Sequence, residues 1–391
     1  MRALRTSALA LLGLVGVACA TPRGTPGAMP DLRPGERPAA DSDEAGLWMH
    51  MDRVEEALRT SGMLLRDARV DGYLRDVLCR LAAEHCPGIR LYVVQTPHFN
   101  ATMAPNGLLQ VWTGLLLRAE NEAQLAYVLG HELGHYLRRH SLQMWRDVRL
   151  KTSAVAFFSV LAAAAGQGYA GPLAQLVTLG SVLAFSRDNE READEIGFEL
   201  MARAGYDPRE APRIWEALER EREAAGKSAP LIFFATHPPT AERIATLREQ
   251  AARTYTPEQI WSVGRAEWMA TVSPVRPALL RDELRLRDFP RTAVLLDRLL
   301  AAEPRSGLLH FSRGEMFRLR AGAGDEVRAL DAYQQALAGE DPPPEIHRSV
   351  GLLRLRRGER EQARAAFERY LAAVPAAEDR AMIESYLEQL R

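Results

Sequence analysis

The 391-residue chain is poor in aromatic residues, has three cysteines and carries almost no net charge. Its 50 lysines and arginines balance 51 aspartates and glutamates, so no global field draws it to a polyanion and no nucleic-acid partner is expected. With aromatics at 7% and Ala, Leu, Arg and Glu abundant, the composition is that of a mainly helical protein. Long apolar runs are missing too. Residues 8–18, 154–165 and 173–185 are apolar over about a dozen positions each, short of the roughly 20 that a membrane-crossing helix needs. The last two are split by Gly166, Gly168, Gly171 and Pro172. They read as a buried helical hairpin, with a segment dipping into a membrane surface as the alternative.

Scarce cysteine leaves one pairing to consider. Seven residues apart on one helix, Cys79 and Cys86 would stand about 10 Å apart, beyond disulfide reach. Pairing requires the helix to end before Cys86, which Pro87 and Gly88 permit. Two unpaired, partly buried thiols are the other reading. Cys19 belongs to the N-terminus, where Arg2 and Arg5 precede the apolar run in the manner of an export signal. Two cleavage readings stand there. Ala18-Cys19-Ala20 has the small-x-small form of an ordinary signal-peptidase site, whereas Val15-Gly16-Val17-Ala18-Cys19 is similar to a bacterial lipobox. The lipobox is preferred, because residues 20–46, rich in Pro, Gly and Asp, read as an unfolded tether behind Cys19. Residues 1–19 are then the signal, and a lipid on Cys19 holds the chain at a membrane of the bacterial periplasm, the outer membrane by preference.

Order is expected from about Leu47. Met49, Val54 and Leu58, then Val70, Leu74, Val77, Leu78 and Leu81, recur at helical spacing. Residues 89–96 and 108–113 are strand-like and flank the turn signal Pro105-Asn106-Gly107, which gives a small sheet. Residues 121–150 read as one long helix and 188–204 as another, ended by Gly205. Beyond about residue 250 the character changes. Gly314, Ala329, Ala332, Tyr333 and Ala336 are echoed by Gly351, Ala363, Ala366, Phe367 and Leu371. Ala329 to Ala363 and Ala332 to Ala366 both span 34 residues, the period of tetratricopeptide helix pairs. Small residues let paired helices approach and the aromatics fill the groove; a generic helical bundle is the alternative.

The long helix carries His131-Glu132-Leu133-Gly134-His135. Positions i and i+4 lie about 40° apart and about 6 Å along the axis, so both imidazoles reach one ion. Glu132, turned about 100° from His131, stays off the metal and serves as base toward the water that Zn²⁺ activates. A hydrolytic zinc site needs three protein ligands and one open position. His140, nine residues after His131, would lie about 13 Å along a continuous helix, too far to share the ion. Glu190 qualifies as the third ligand. Asp194, four residues on, can accept a hydrogen bond from the distal nitrogen of a ligand histidine.

The segments Val128-Leu129-Gly130-His131-Glu132-Leu133-Gly134-His135 and Ser186-Arg187 through Glu190 to Ala193-Asp194 resemble those of the gluzincin endopeptidases. This family includes the heat-shock protease HtpX, the CAAX prenyl endopeptidases and the periplasmic β-barrel assembly-enhancing proteases. The likeness runs from about residue 92 to residue 247. It takes in Asn100-Ala101, Pro105-Asn106-Gly107, Gly114-Leu115-Leu116 and Thr236-His237-Pro238-Pro239-Thr240-Ala241-Glu242-Arg243-Ile244. It implies His131, His135 and Glu190 as ligands of one zinc ion and Glu132 as base. Thr102 stands where relatives usually carry an aromatic residue and Asn106 where a glycine is common, which touches the substrate pocket rather than the metal. The resemblance lays His237 over the active site, either stabilising the oxyanion or filling the open zinc position at rest. Arg243 is expected to anchor that loop or pair with a carboxylate near the metal.

The expected architecture is mainly α (α+β). A zincin-like metallopeptidase domain at residues 47–250, with a small sheet beside its metal helix, precedes an α-solenoid of tetratricopeptide-like pairs at 251–391. The expected function is endopeptidase quality control of unfolded or misassembled envelope proteins, with the repeats binding a protein partner or substrate. A chaperone or scaffold module with latent, self-inhibited protease activity is the alternative.

Overall fold

The computed structural model describes residues 31–151, 185–226, 233, 237 and 241–391. The export signal, Cys19 and the apolar runs ahead of Phe185 lie outside the described residues. Helix α1 (Asp43–Thr60) is capped by Ser42, whose hydroxyl accepts from the Ala45 N–H, and α2 (Ala68–Ala82) by Asp67. A tighter turn of helix, Ala83–Gly88, follows α2 and contains Pro87. That stop decides the cysteine question: Cys79 and Cys86 are disulfide-bonded, with Cα atoms 5.0 Å apart.

Three strands come next, β1 (Arg90–Val94), β2 (Ala101–Met103) and β3 (Leu108–Trp112), in the order β1-β3-β2. The central β3 is buried along its whole length, runs parallel to β1 and antiparallel to β2, and leaves β2 as an edge. Gly107 turns β2 into β3 at φ +85°, and a Cβ there would sit 2.3 Å from the Gly88 carbonyl oxygen.

Short α3 (Thr113–Arg118) leads into α4 (Glu122–Leu137), N-capped by Asn121 and buried on all sides. Its partner is α6 (Arg187–Arg203). Glycines set the approach: a Cβ on Gly134 would lie 2.9 Å from the Ala193 Cα, and one on Gly130 2.9 Å from the Gly197 oxygen. The single helix expected over residues 121–150 is in fact two. The chain breaks after Leu137, Arg139 turns left-handed at φ +54°, and α5 (His140–Lys151) starts in a new direction. The Arg139 guanidinium is held there by Glu36 at 2.5 Å and Glu44 at 3.2 Å.

Those carboxylates belong to the segment read as an unfolded tether, and that reading is corrected from residue 31 onward. Leu32 is buried and donates its N–H to the Leu137 oxygen at 3.0 Å, Asp31 pairs with Arg138 at 2.7 Å, and α1 starts at Asp43. Order sets in early because this strap satisfies the frayed end of α4 and the two arginines at the break.

Downstream lie α7 (Glu210–Ala225), α8 (Ala241–Thr254), α9 (Arg265–Val272), α10 (Arg276–Arg285) and α11 (Phe289–Ala302). They are followed by α12 (Gly307–Arg320), α13 (Asp325–Ala338), α14 (Glu345–Arg356), α15 (Arg360–Ala373) and α16 (Arg380–Gln389). The hairpins α12–α13 and α14–α15 share one packing device. A Cβ on Gly314 would meet the Tyr333 ring at 2.3 Å, and one on Gly351 the Phe367 ring at 2.5 Å. Each aromatic therefore seats on a glycine of the facing helix. The architecture is mainly helical, with one small sheet and C-terminal helical repeats. Among the described residues no helix is long and apolar enough to cross a membrane.

Candidate metal centre

Four side chains from three parts of the chain converge at the α4–α6 contact. His131 and His135 come from α4, Glu190 from the first turn of α6, and His237 from the segment between α7 and α8; all are buried. The Nε2 atoms of His131 and His135 are 3.2 Å apart, and the first lies 3.2 Å from His237 Nδ1. Glu190 Oε1 is 2.9 Å from His237 Nδ1 and 3.4 Å from His135 Nε2. Donors around one tetrahedral zinc ion, with bonds of about 2.0–2.1 Å, stand about 3.3 Å from one another. The donor set of one carboxylate and three imidazoles, so spaced, fits a zinc ion. His140 is not among the four.

Charge balance points the same way. Among the described residues, the buried charged groups here are Glu132, Glu190 and Asp194 against Arg243, three carboxylates to one guanidinium. A dication restores neutrality. Burial alone would lower the His237 pKa, but Glu190 and Glu132 outweigh it and raise the group above its ordinary value, the sign of a site short of positive charge.

Behind the donors, Asp194 is the hub. Its Oδ1 lies 3.0 Å from His131 Nδ1 and accepts from the Tyr127 hydroxyl at 2.7 Å. Arg243 donates to both Asp194 oxygens at 2.6 and 2.8 Å and reaches Glu190 Oε2 at 2.6 Å. Burial pushes the Asp194 carboxyl up, but Arg243 and then His131 bring it down to about 2, so it is an anion that accepts the His131 proton.

Glu132 stands apart from the donors, with Oε1 3.5 Å from His237 Nε2. Burial raises its pKa despite His237 and His131 nearby, and the Met103 backbone of edge strand β2 lies beside its carboxylate. Its Oε1 is buried without a hydrogen-bond partner. An aromatic wall closes the site: Phe185 stacks on the His135 ring at 3.9 Å and Phe233 on the His237 ring at 4.5 Å.

Residues 64–251 match the model of peptidase family M48. The matched stretch, 188 of the 391 residues, is similar to that family. The resemblance to the gluzincin endopeptidases is thereby borne out, and zinc is the ion that the M48 match and the donor chemistry both indicate. Among curated proteins, the chain is 37% identical over 160 residues to mitochondrial metalloendopeptidase OMA1 of Schizosaccharomyces pombe, covering 41% of this chain and 45% of that protein. It is 29% identical over 211 residues to the beta-barrel assembly-enhancing protease of Escherichia coli K12, covering 51% of this chain and 42% of the relative. The chain thus spans less than half the length of each of these two relatives.

Three parts of the candidate site have no counterpart in the sequence reading. Tyr127 and Trp215, whose indole N–H donates to the Tyr127 hydroxyl at 3.2 Å, support Asp194 from positions with no recognisable motif. His140, set aside as too distant on a straight helix, lies with Nδ1 2.9 Å from His135 Nδ1, because the break at Arg139 folds it back.

Proposed function

We propose that the chain is a zinc-dependent endopeptidase with His131, His135 and Glu190 as zinc ligands and Glu132 as base. The observation that carries this reading is the spacing of the four donors, with an unpartnered carboxylate oxygen of Glu132 beside them. Zinc held there supplies Lewis-acid polarisation of the scissile carbonyl and activation of water. Glu132 takes the proton of the attacking water and returns it to the leaving amine; its raised pKa suits both transfers. Asp194 and Arg243 hold His131 in the tautomer that leaves Nε2 free. A substrate strand adds to edge strand β2, whose Met103 backbone lies beside Glu132.

His237 is proposed as a resting-state fourth donor that leaves when substrate enters, rather than an oxyanion stabiliser. Supporting this is its Nδ1 within the donor set. The same observation favours the second reading of the chain, a chaperone or scaffold whose protease is latent. Purified protein lacking residues 1–19 tests both. Zinc content and casein cleavage are compared for wild type, Glu132→Gln and His237→Ala. About one zinc per chain is expected, with cleavage falling about 10²–10⁴-fold in Glu132→Gln. More cleavage in His237→Ala supports the latch, and complete loss the oxyanion role. Zinc without Glu132-dependent cleavage in any form favours the binding module.

The chain divides, on this proposal, into an export signal (1–19), a tether ordered from residue 31, a peptidase domain (47–250) and a tetratricopeptide-like domain (251–391) that holds a partner or substrate near the site. Unfolded or misassembled envelope proteins are the proposed substrates, with the periplasm as compartment and a lipid on Cys19 as anchor. The Cys79–Cys86 disulfide suits an oxidising compartment, and one relative is named for β-barrel assembly.

A further inference from the structure

We infer that His140, backed by Glu192, is a positioning residue that locks His135 in its metal-binding tautomer; this rests on the proposed zinc site. His135 turns Nε2 toward the other donors, so its proton must sit on Nδ1. That nitrogen lies 2.9 Å from His140 Nδ1, and two imidazole nitrogens at this distance share one proton. His140 Nδ1 is then the acceptor, its own proton sits on Nε2, and Nε2–H donates to Glu192 Oε2 at 3.1 Å. One assignment of protons satisfies all three groups. Arg138, at the helix break, fixes the other Glu192 oxygen at 3.0 Å.

The two α4 histidines are thus supported unequally. His131 faces the Asp194 carboxylate directly, whereas His135 reaches a carboxylate through a neutral imidazole. Phe185, stacked on the His135 ring, restrains its plane but cannot choose its tautomer. On an unbroken helix His140 would lie about 140° around the axis from His135. The left-handed Arg139 is what brings them together.

The test measures zinc affinity by chelator competition, and the visible spectrum of the cobalt-loaded protein, for wild type, His140→Leu, His140→Asn and Glu192→Leu. His140→Leu should weaken zinc by about 10–100-fold and shift the cobalt bands. His140→Asn, whose amide oxygen can accept from His135, should recover most of the loss. Equal losses in the Leu and Asn variants, or wild-type affinity in His140→Leu, overturn the proposal. If His140→Leu does not fold, Glu192→Leu at its half-exposed position, which removes the acceptor, decides: zinc binding weakened a few-fold supports the relay, and unchanged binding overturns it. A wild type that holds zinc no better than His131→Ala overturns the metal site itself, a failure distinct from that of the relay.

Discussion

Two clusters of buried charge, built from the same residue types, do opposite things in this molecule. At the metal centre three carboxylates face one guanidinium, and four donor atoms point at a common space. Under α3, between α7, α10 and α11, the account closes on itself. Arg118, wholly buried, donates to Glu221 at 2.7 Å and Glu283 at 3.0 Å, Arg291 approaches the far oxygen of Glu283 at 3.5 Å, and Arg298, at the rim, the far oxygen of Glu221 at 3.6 Å; among the described residues the fully buried groups are two guanidiniums and two carboxylates. A balanced cluster has no call for an ion and acts as a fastener, here between the peptidase helices and the helices that follow. The unbalanced one is incomplete without a cation. The comparison teaches that surplus charge and convergent donors, rather than burial of charge as such, mark the site.

The comparison breaks most visibly if Arg118 is removed. Arg118→Met takes from Glu221 and Glu283 the guanidinium they share, leaving more buried negative than positive charge, and should cost about 3–5 kcal/mol in denaturant unfolding. Zinc content per folded chain should not change. Adding Glu221→Gln should recover most of the stability, since Arg291 then faces Glu283 and the buried charges balance again. A mild effect of Arg118→Met alone would mean that the fastener is not one.

Asp194→Asn probes the other cluster more gently. The amide keeps the shape but loses the charge that accepts from His131 and pairs with Arg243. Zinc affinity should fall about 10–100-fold, read by chelator competition, with the fold intact at saturating zinc. Unaltered affinity would sever Asp194 from the metal.

What could be read from the sequence follows from range. His131, His135, Glu190 and Asp194 were legible because helical spacing puts i and i+4 on one face, a local rule. The small residues and aromatics that pair in the repeats were legible from their echo along the sequence. His140 was not, because no local signal announces that a non-glycine residue, Arg139, turns left-handed; the ions that hold it come from Glu36 and Glu44, about a hundred residues earlier. The ordering of residues 31–46 escaped likewise, since their composition is that of a tether and only contact with α4 orders them. Arg118, Glu221 and Glu283 span 165 residues without a motif.

The smallest effect expected is also the one that separates the two clusters in a single titration. Zinc leaves when its histidine ligands protonate, so metal release should follow acidification through the histidine range, around pH 6.5 or below. Glu283 behaves otherwise. Burial raises its pKa, but Arg118 and Arg291 outweigh burial and hold it below the ordinary carboxylate value. A depressed carboxylate contributes stability that is present above its unfolded pKa, near 4.3, and is lost as pH falls through the folded value. Metal loss should therefore come first, and loosening between α3 and α10 only below about pH 4. Unfolding followed against pH in zinc-free protein isolates the second event, and Glu283→Gln should flatten that limb while leaving the pH of zinc release unmoved. Both events shifting together in the variant would show that the fastener and the site are one coupled system rather than two.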